Sequence, residues 1–155
     1  AVCALFLLAV TFTFLQIQRV LDVRRDDGQL AVVRASVSAI VAAQQERALL
    51  VGCTEVTDWP IRLEDCRLCK EESCQTSLAT AWEGMGLKPE YERYKLDSEH
   101  VCTKEITHPC LVTIEPDGAQ PISTNAFKLR FFLARDRDGL KGGQTHTINQ
   151  AGVIE

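Results

Sequence analysis

Cys66 and Cys69 form a C-x-x-C pair followed by a lysine, the spacing at which one thiolate attacks a disulfide and its neighbour resolves the intermediate. Such a dithiol opens a helix after a strand, whereas here the loop-like stretch TEVTDWPIRLED precedes it. Zinc is the other option for these thiols, but 32 residues separate Cys69 from Cys102 and the chain has no second C-x-x-C. We therefore expect structural disulfides, with no catalytic residue, no metal and no cofactor.

Other polar patterns in the sequence also lack a catalytic spacing. The segment Asp136-Arg137-Asp138-Gly139 offers two carboxylates to calcium, but Ala134 stands where an EF-hand loop has its first acid. The glycine-rich run 139–143 lacks the Lys-Ser/Thr pair of a phosphate loop, and the three histidines are scattered. These observations predict a protein that is not an enzyme.

The seven cysteines divide into one and six. Cys3 lies in an apolar stretch, and the others fall within 58 residues. Six cysteines in a domain of about 100 residues predict up to three disulfides in an oxidising compartment. The nearest simple pairing joins Cys102 to Cys110, and the remaining four allow three connectivities. The disulfide candidates are Cys53, Cys66, Cys69, Cys74, Cys102 and Cys110.

Charge and apolar residues are unevenly distributed along the chain. The 155 residues carry 17 basic and 21 acidic side chains, and a net charge of -4 disfavours nucleic-acid binding by bulk electrostatics. Residues 1–18 hold no charge at all, since the first charged side chain is Arg19. The overall composition is that of an ordinary soluble protein, but it is the average of two segments with unlike compositions.

Residues 1–25 are predicted to form a transmembrane or filament-core half-helix. Eighteen helical residues reach about 27 Å, close to the 30 Å or so of a hydrocarbon core. The alternative is a buried core helix of a soluble protein, which the absence of a polar stripe disfavours. Arginines after the span favour a cytoplasmic head, whereas the cysteines favour the opposite side. The apolar side chains assigned to this half of the assembly helix are Leu5, Phe6, Leu8, Phe12, Phe14 and Leu15.

Residues 26–52 have helical apolar spacing and are predicted to form an amphipathic half-helix. Val33, Val37 and Ile40 mark its apolar face, which is rich in small residues that permit close helix packing. Gly52 is the predicted C-terminal stop and Gly28 the weakest point of the rod. A continuous helix of 52 residues would be roughly 78 Å long.

Residues 53–155 are predicted to form a disulfide-rich globular head. The fold class is α+β: a long N-terminal helix packed against a small antiparallel sheet. The predicted elements are a helix over 71–82 and strands over 100–107, 110–114, 127–134 and 144–149, with a loop over 135–143.

This architecture resembles the type IV pilin superfamily, which includes minor pilins and secretion pseudopilins. The resemblance rests on ALFLLAVTFTFLQIQRVLDVRR leading into RASVSAIVAAQQERALL. Members usually begin with an aromatic residue and carry glutamate at the fifth position, where this sequence has Ala1 and Leu5.

The resemblance implies a structural subunit of an extracellular or periplasmic helical filament. The apolar half would lie in the inner membrane and then pack with copies of itself or related pilin subunits, leaving the head exposed. One alternative is a signal-anchored ectodomain that binds a ligand and does not polymerise. Another is a thiol or zinc protein facing the cytoplasm.

Overall fold

The computed structural model describes residues 2–53, 60–70, 73–84, 86, 100–118 and 121–155. It has the predicted α+β fold, with one long helix and two antiparallel sheets. The helices are α1 (Val2–Gln45) and α2 (Leu78–Gly84), with a 3-10 turn at Leu63–Asp65. The strands are β1 (Leu49–Val51), β2 (Ile61–Arg62), β3 (Arg67–Lys70), β4 (Ser73–Ser77), β5 (Thr113–Glu115), β6 (Lys128–Leu133) and β7 (Gln144–Asn149).

Helix α1 runs through Gly28 without a break and ends at Gln45, so the predicted end at Gly52 is wrong. The Arg47 N–H donates to the Gln44 carbonyl at 3.0 Å, and the Ala48 N–H donates to the Ala43 carbonyl at 2.9 Å. These two bonds form a Schellman motif, in which Arg47 takes the left-handed conformation that glycine usually supplies (φ 58°). Because the residue there is an arginine, the sequence carried no stop signal at this point.

Gly52 does turn the chain, but at the end of strand β1 (φ 84°). A Cβ there would lie 2.8 Å from the Asp65 carbonyl oxygen, so both the turn and the close approach require glycine. Ala48 and Val51, which share the helical spacing, lie beyond the helix, and Val51 belongs to β1.

The two sheets have the strand orders β1-β3-β4 and β2-β5-β6-β7. The hairpin of β6 and β7 is the longest pairing, with Leu129 opposite Ile148 and Phe131 opposite His146. The sequence predicted both strands and the loop between them. Strand β2, which pairs with β5, lies in the stretch interpreted as loop-like.

Two other element predictions are wrong in part. The helix predicted over 71–82 begins only at Leu78, because the preceding residues form β4 and pair with β3. Residues 100–107 form no strand and contribute only an isolated bridge between Val101 and Leu111. The strand predicted over 110–114 is β5, which begins at Thr113.

The core lies between the second half of α1 and the four-stranded sheet. Val32, Val33 and Ile40 are fully buried in one cluster with side chains from the sheet and from α2. The fully buried partners include Trp82, Phe127, Phe131, Leu129 and Leu133. The head therefore packs against the second half of α1, which contributes side chains to its core.

The six cysteines of the head form three disulfides, Cys53–Cys66, Cys69–Cys74 and Cys102–Cys110. The third is the pairing that the sequence favoured. The two cysteines of the C-x-x-C motif bond to different partners, so they do not form a dithiol pair.

Candidate assembly helix

The first half of α1 extends beyond the head, and its side chains are not covered by other residues of the described chain. None of its most apolar 18-residue window is buried, and it is the one helix in the described ranges that is long and apolar enough to cross a membrane. A buried core helix is therefore excluded for this segment. The assigned side chains are exposed to solvent by the following fractions: Leu5 68%, Phe6 69%, Leu8 65%, Phe12 64%, Phe14 58% and Leu15 65%.

The three assigned residues of the second half have a different environment. Val33 and Ile40 are fully buried and Val37 nearly so, all within the core of their own head. They present no surface to another subunit. We therefore restrict the candidate assembly surface to the exposed apolar half, residues 2–21, and keep that name for it.

A polar contact with strand β6 marks where the docked half of α1 begins. Pairing between β5 and β6 stops at Thr113 and Arg130, so amides further along that edge lack a strand partner. The Gln29 side chain takes the place of a partner: its Oε1 accepts the Phe132 N–H at 2.8 Å. Its Nε2 donates to the Cys110 carbonyl at 3.2 Å, which joins the helix to the disulfide loop.

Asp26 continues the same contact one helical turn earlier. Its carboxylate accepts the N–H groups of Ala134 at 2.8 Å and Arg135 at 2.9 Å. Burial nevertheless raises the pKa of Asp26 above its ordinary value of 3.8, and the two amide bonds offset only part of that effect. The folded state thus holds this proton more tightly than the unfolded chain, and the stability it contributes decreases as pH rises through the raised pKa.

Ion pairs lie next to this contact, just after the C-terminal end of the exposed apolar half. Asp22 pairs with Arg135 at 2.9 Å, and Asp27 pairs with Arg137. These pairs connect α1 to the loop over 135–143 that joins β6 and β7. The same loop is closed by Asp136, which accepts the Gly142 N–H at 2.7 Å.

A second polar contact fixes α1 to α2. The indole Nε1 of Trp82 donates to the Ser36 Oγ at 2.7 Å, and that hydroxyl donates to the Val32 carbonyl at 2.7 Å. Ser36 and Trp82 are both buried. A serine on a helix rich in small residues gave no sequence signal for this role.

Replacing Ser36 with alanine is expected to lower the free energy of unfolding by about 1–3 kcal/mol, because the buried indole N–H would lose its acceptor. Ser38→Ala is the matched control, since Ser38 lies on the same helix and is exposed. We expect the control to stay within about 0.5 kcal/mol of wild type. Urea unfolding followed by tryptophan fluorescence measures both, and equal effects would contradict the assigned contact.

The remaining polar candidates are occupied by contacts within the head. Asp138 pairs with Arg34 at 3.6 Å, and the His146 ring contacts the Lys141 carbonyl at 2.8 Å. His100 and His108 meet edge to face at 5.4 Å. Among the described residues, no group of three or more histidine, cysteine or acidic side chains is placed to hold a metal ion.

Comparison with models of protein families, with curated proteins and with solved structures finds no match for this chain. The functional interpretation therefore rests on its own residues.

Proposed function

We propose that this chain is a structural subunit of an extracellular or periplasmic helical filament, similar to a type IV pilin or pseudopilin. The supporting observation is the division of one continuous helix into an exposed apolar half and a half buried in the head. The exposed apolar half lies in the inner membrane before assembly and packs against other subunits afterwards. The partners are copies of the chain or related subunits.

Physical chemistry supports both stages. Exposed apolar patches on soluble proteins rarely exceed a few hundred Å², so an exposed, largely apolar helix of about 20 residues requires lipid or protein around it. Three disulfides stabilise a small head where thiols are oxidised. A cytoplasmic thiol or zinc protein is disfavoured because all six head cysteines are bonded.

The competing function is a membrane-anchored ectodomain that binds a partner and stays monomeric. Its helix would need only apolarity, whereas a filament subunit also needs particular side chains to pack. Substitutions that keep apolarity but change shape therefore separate the two functions.

We expect the triple variant Leu8→Ala, Phe12→Ala and Leu15→Ala to reduce filament formation at least about tenfold, since each truncation in a packed interface costs on the order of 2–5 kcal/mol. The three residues lie on one helical face. The variant should remain in the membrane fraction after carbonate extraction. Filaments are measured by immunogold electron microscopy of material sheared from cells that produce the chain.

Leu49→Ala is the control, because Leu49 is an apolar side chain of strand β1, outside the exposed apolar half, and is 67% exposed. It should leave filaments unchanged. Wild-type chain that fractionates with membranes as a monomer, with no labelled filament, would reject the filament proposal in favour of the anchored ectodomain.

A further inference from the structure

An open cleft of about 590 Å³ lies where the exposed apolar half meets the head. Arg19 and Val23 of α1 form one wall, and the two ends of the loop between β6 and β7 form the other. The loop contributes Arg135 and Arg137 to this lining. Three arginines thus line a single cavity.

The lining residues alone carry a formal charge of +2, from three arginines and Asp136, which the neighbouring carboxylates of Asp22 and Asp27 offset. Asp22 and Asp27 face the cleft arginines from α1 and hold Arg135 and Arg137 in place. Arg135 uses Nε and one terminal nitrogen for its pair, and Arg137 uses one terminal nitrogen. Each retains a donor, because a guanidinium offers five N–H groups.

Arg19 differs from the other two arginines of the cleft. It is exposed and makes no hydrogen bond or ion pair with any residue in the described part of the chain. The Gly142 and Gly143 amides are already used, since they donate to Asp136 and Leu133. The arginine side chains therefore supply hydrogen-bond donors that these two amides do not.

The position of the cleft along α1 also bears on what it could bind. Residues 2–18 of α1 carry no charge, and Arg19 is the first charged side chain that follows them. With the apolar residues in a bilayer, Arg19 lies at the boundary where lipid phosphates are found. Guanidinium groups recognise phosphate through paired hydrogen bonds, and basic pockets beside spanning helices bind lipid headgroups.

We propose that this cleft binds the phosphodiester group of a membrane phospholipid, with Arg19, Arg135 and Arg137 as donors and the acyl chains lying along the exposed apolar half. This inference rests on the membrane stage of the proposed function. The bound lipid fixes the depth of the helix and holds the head against the membrane surface before assembly.

The test titrates the full chain in maltoside micelles with dihexanoyl phosphatidylglycerol, with hexyl glucoside or with inorganic phosphate, and follows the thermal midpoint. Binding to the folded state raises the midpoint in a saturable manner. We expect the increase with the phospholipid only. An equal increase with the glucoside would show a general amphiphile effect, and an equal increase with inorganic phosphate would show an anion site without lipid selectivity. Either result overturns the proposal.

Arg19→Gln is expected to weaken the phospholipid effect about fivefold, as for loss of one basic side chain near a lipid surface. Arg24→Gln is the matched control: Arg24 is exposed on the same helix, also lacks a partner in the described ranges, and lies outside the cleft. Equal losses in the two variants would show bulk electrostatic attraction and reject the site.

Flotation with phosphatidylcholine vesicles keeps this inference separate from the proposed function. Both variants should float as wild type does, because neither alters the apolar residues. If the chain floats but its thermal midpoint shows no phospholipid-specific increase, the cleft proposal alone is overturned. If the wild-type chain does not float, the membrane anchor is contradicted.

Discussion

Replacing Gln29 with alanine is expected to lower the free energy of unfolding by about 2–6 kcal/mol. The substitution leaves two buried groups without partners, the Phe132 N–H and the Cys110 carbonyl, and each orphaned group costs about 1–3 kcal/mol. Marginal stabilities of about 5–15 kcal/mol make this a large effect. Urea unfolding of the full chain in detergent, followed by tryptophan fluorescence, measures it.

Gln44→Ala is the control for Gln29→Ala, because it removes the same side chain from an exposed position on the same helix. We expect the control to change stability by less than about 0.5 kcal/mol. A Gln29 variant as stable as the control would show that the side chain does not replace a strand partner at the edge of β6. The docking of α1 would then depend on apolar contacts alone.

The chargeless N-terminal segment, the helical apolar spacing after it and the clustered cysteines predicted a helix followed by a head. Residues 1–18 carry no charge, and the alternation in FKLRFFLA anticipated strand β6 with its partner β7. These elements were predictable because their signals are local. The fold class followed from the same pattern.

Three features of the secondary structure were not predictable from residue types alone. Strand β4 forms because β3 lies beside it, although its residues had been assigned to a helix. Strand β2 is only two residues long and exists through its pairing with β5. Helix α1 ends at Gln45, and Arg47 then takes the left-handed conformation for which a sequence pattern requires glycine.

The candidate site shows the same limit. The exposed apolar residues were assigned from sequence, but Val33, Val37 and Ile40 were assigned with them and belong to the head. Spacing reveals that a helix face is apolar without revealing what covers it. Gln29 and Asp26 gave no signal because their partners are backbone groups between 81 and 109 residues away along the chain.

Removing the Cys102–Cys110 disulfide with paired alanines is expected to lower the free energy of unfolding by about 2–4 kcal/mol. Both cysteines are buried, and the bond closes a loop of separation 8 whose Cys110 carbonyl receives the Gln29 amide. The stability lost on removing the disulfide should therefore depend on whether Gln29 is present. We expect the variant that combines Gln29→Ala with both cysteine-to-alanine changes to differ in unfolding free energy from the sum of the separate effects by about 0.5–3 kcal/mol. This is the range found for residues that share a contact.

The Cys69–Cys74 pair is the control for this coupling. It closes a loop of separation 5 beside the other sheet, Cys74 is exposed, and neither cysteine bonds to Gln29. Its removal should combine additively with Gln29→Ala within about 0.5 kcal/mol. Equal coupling for both disulfides would show a general loosening of the head. Coupling confined to Cys102–Cys110 would show that this disulfide loop and strand β6 are held to α1 through one side chain.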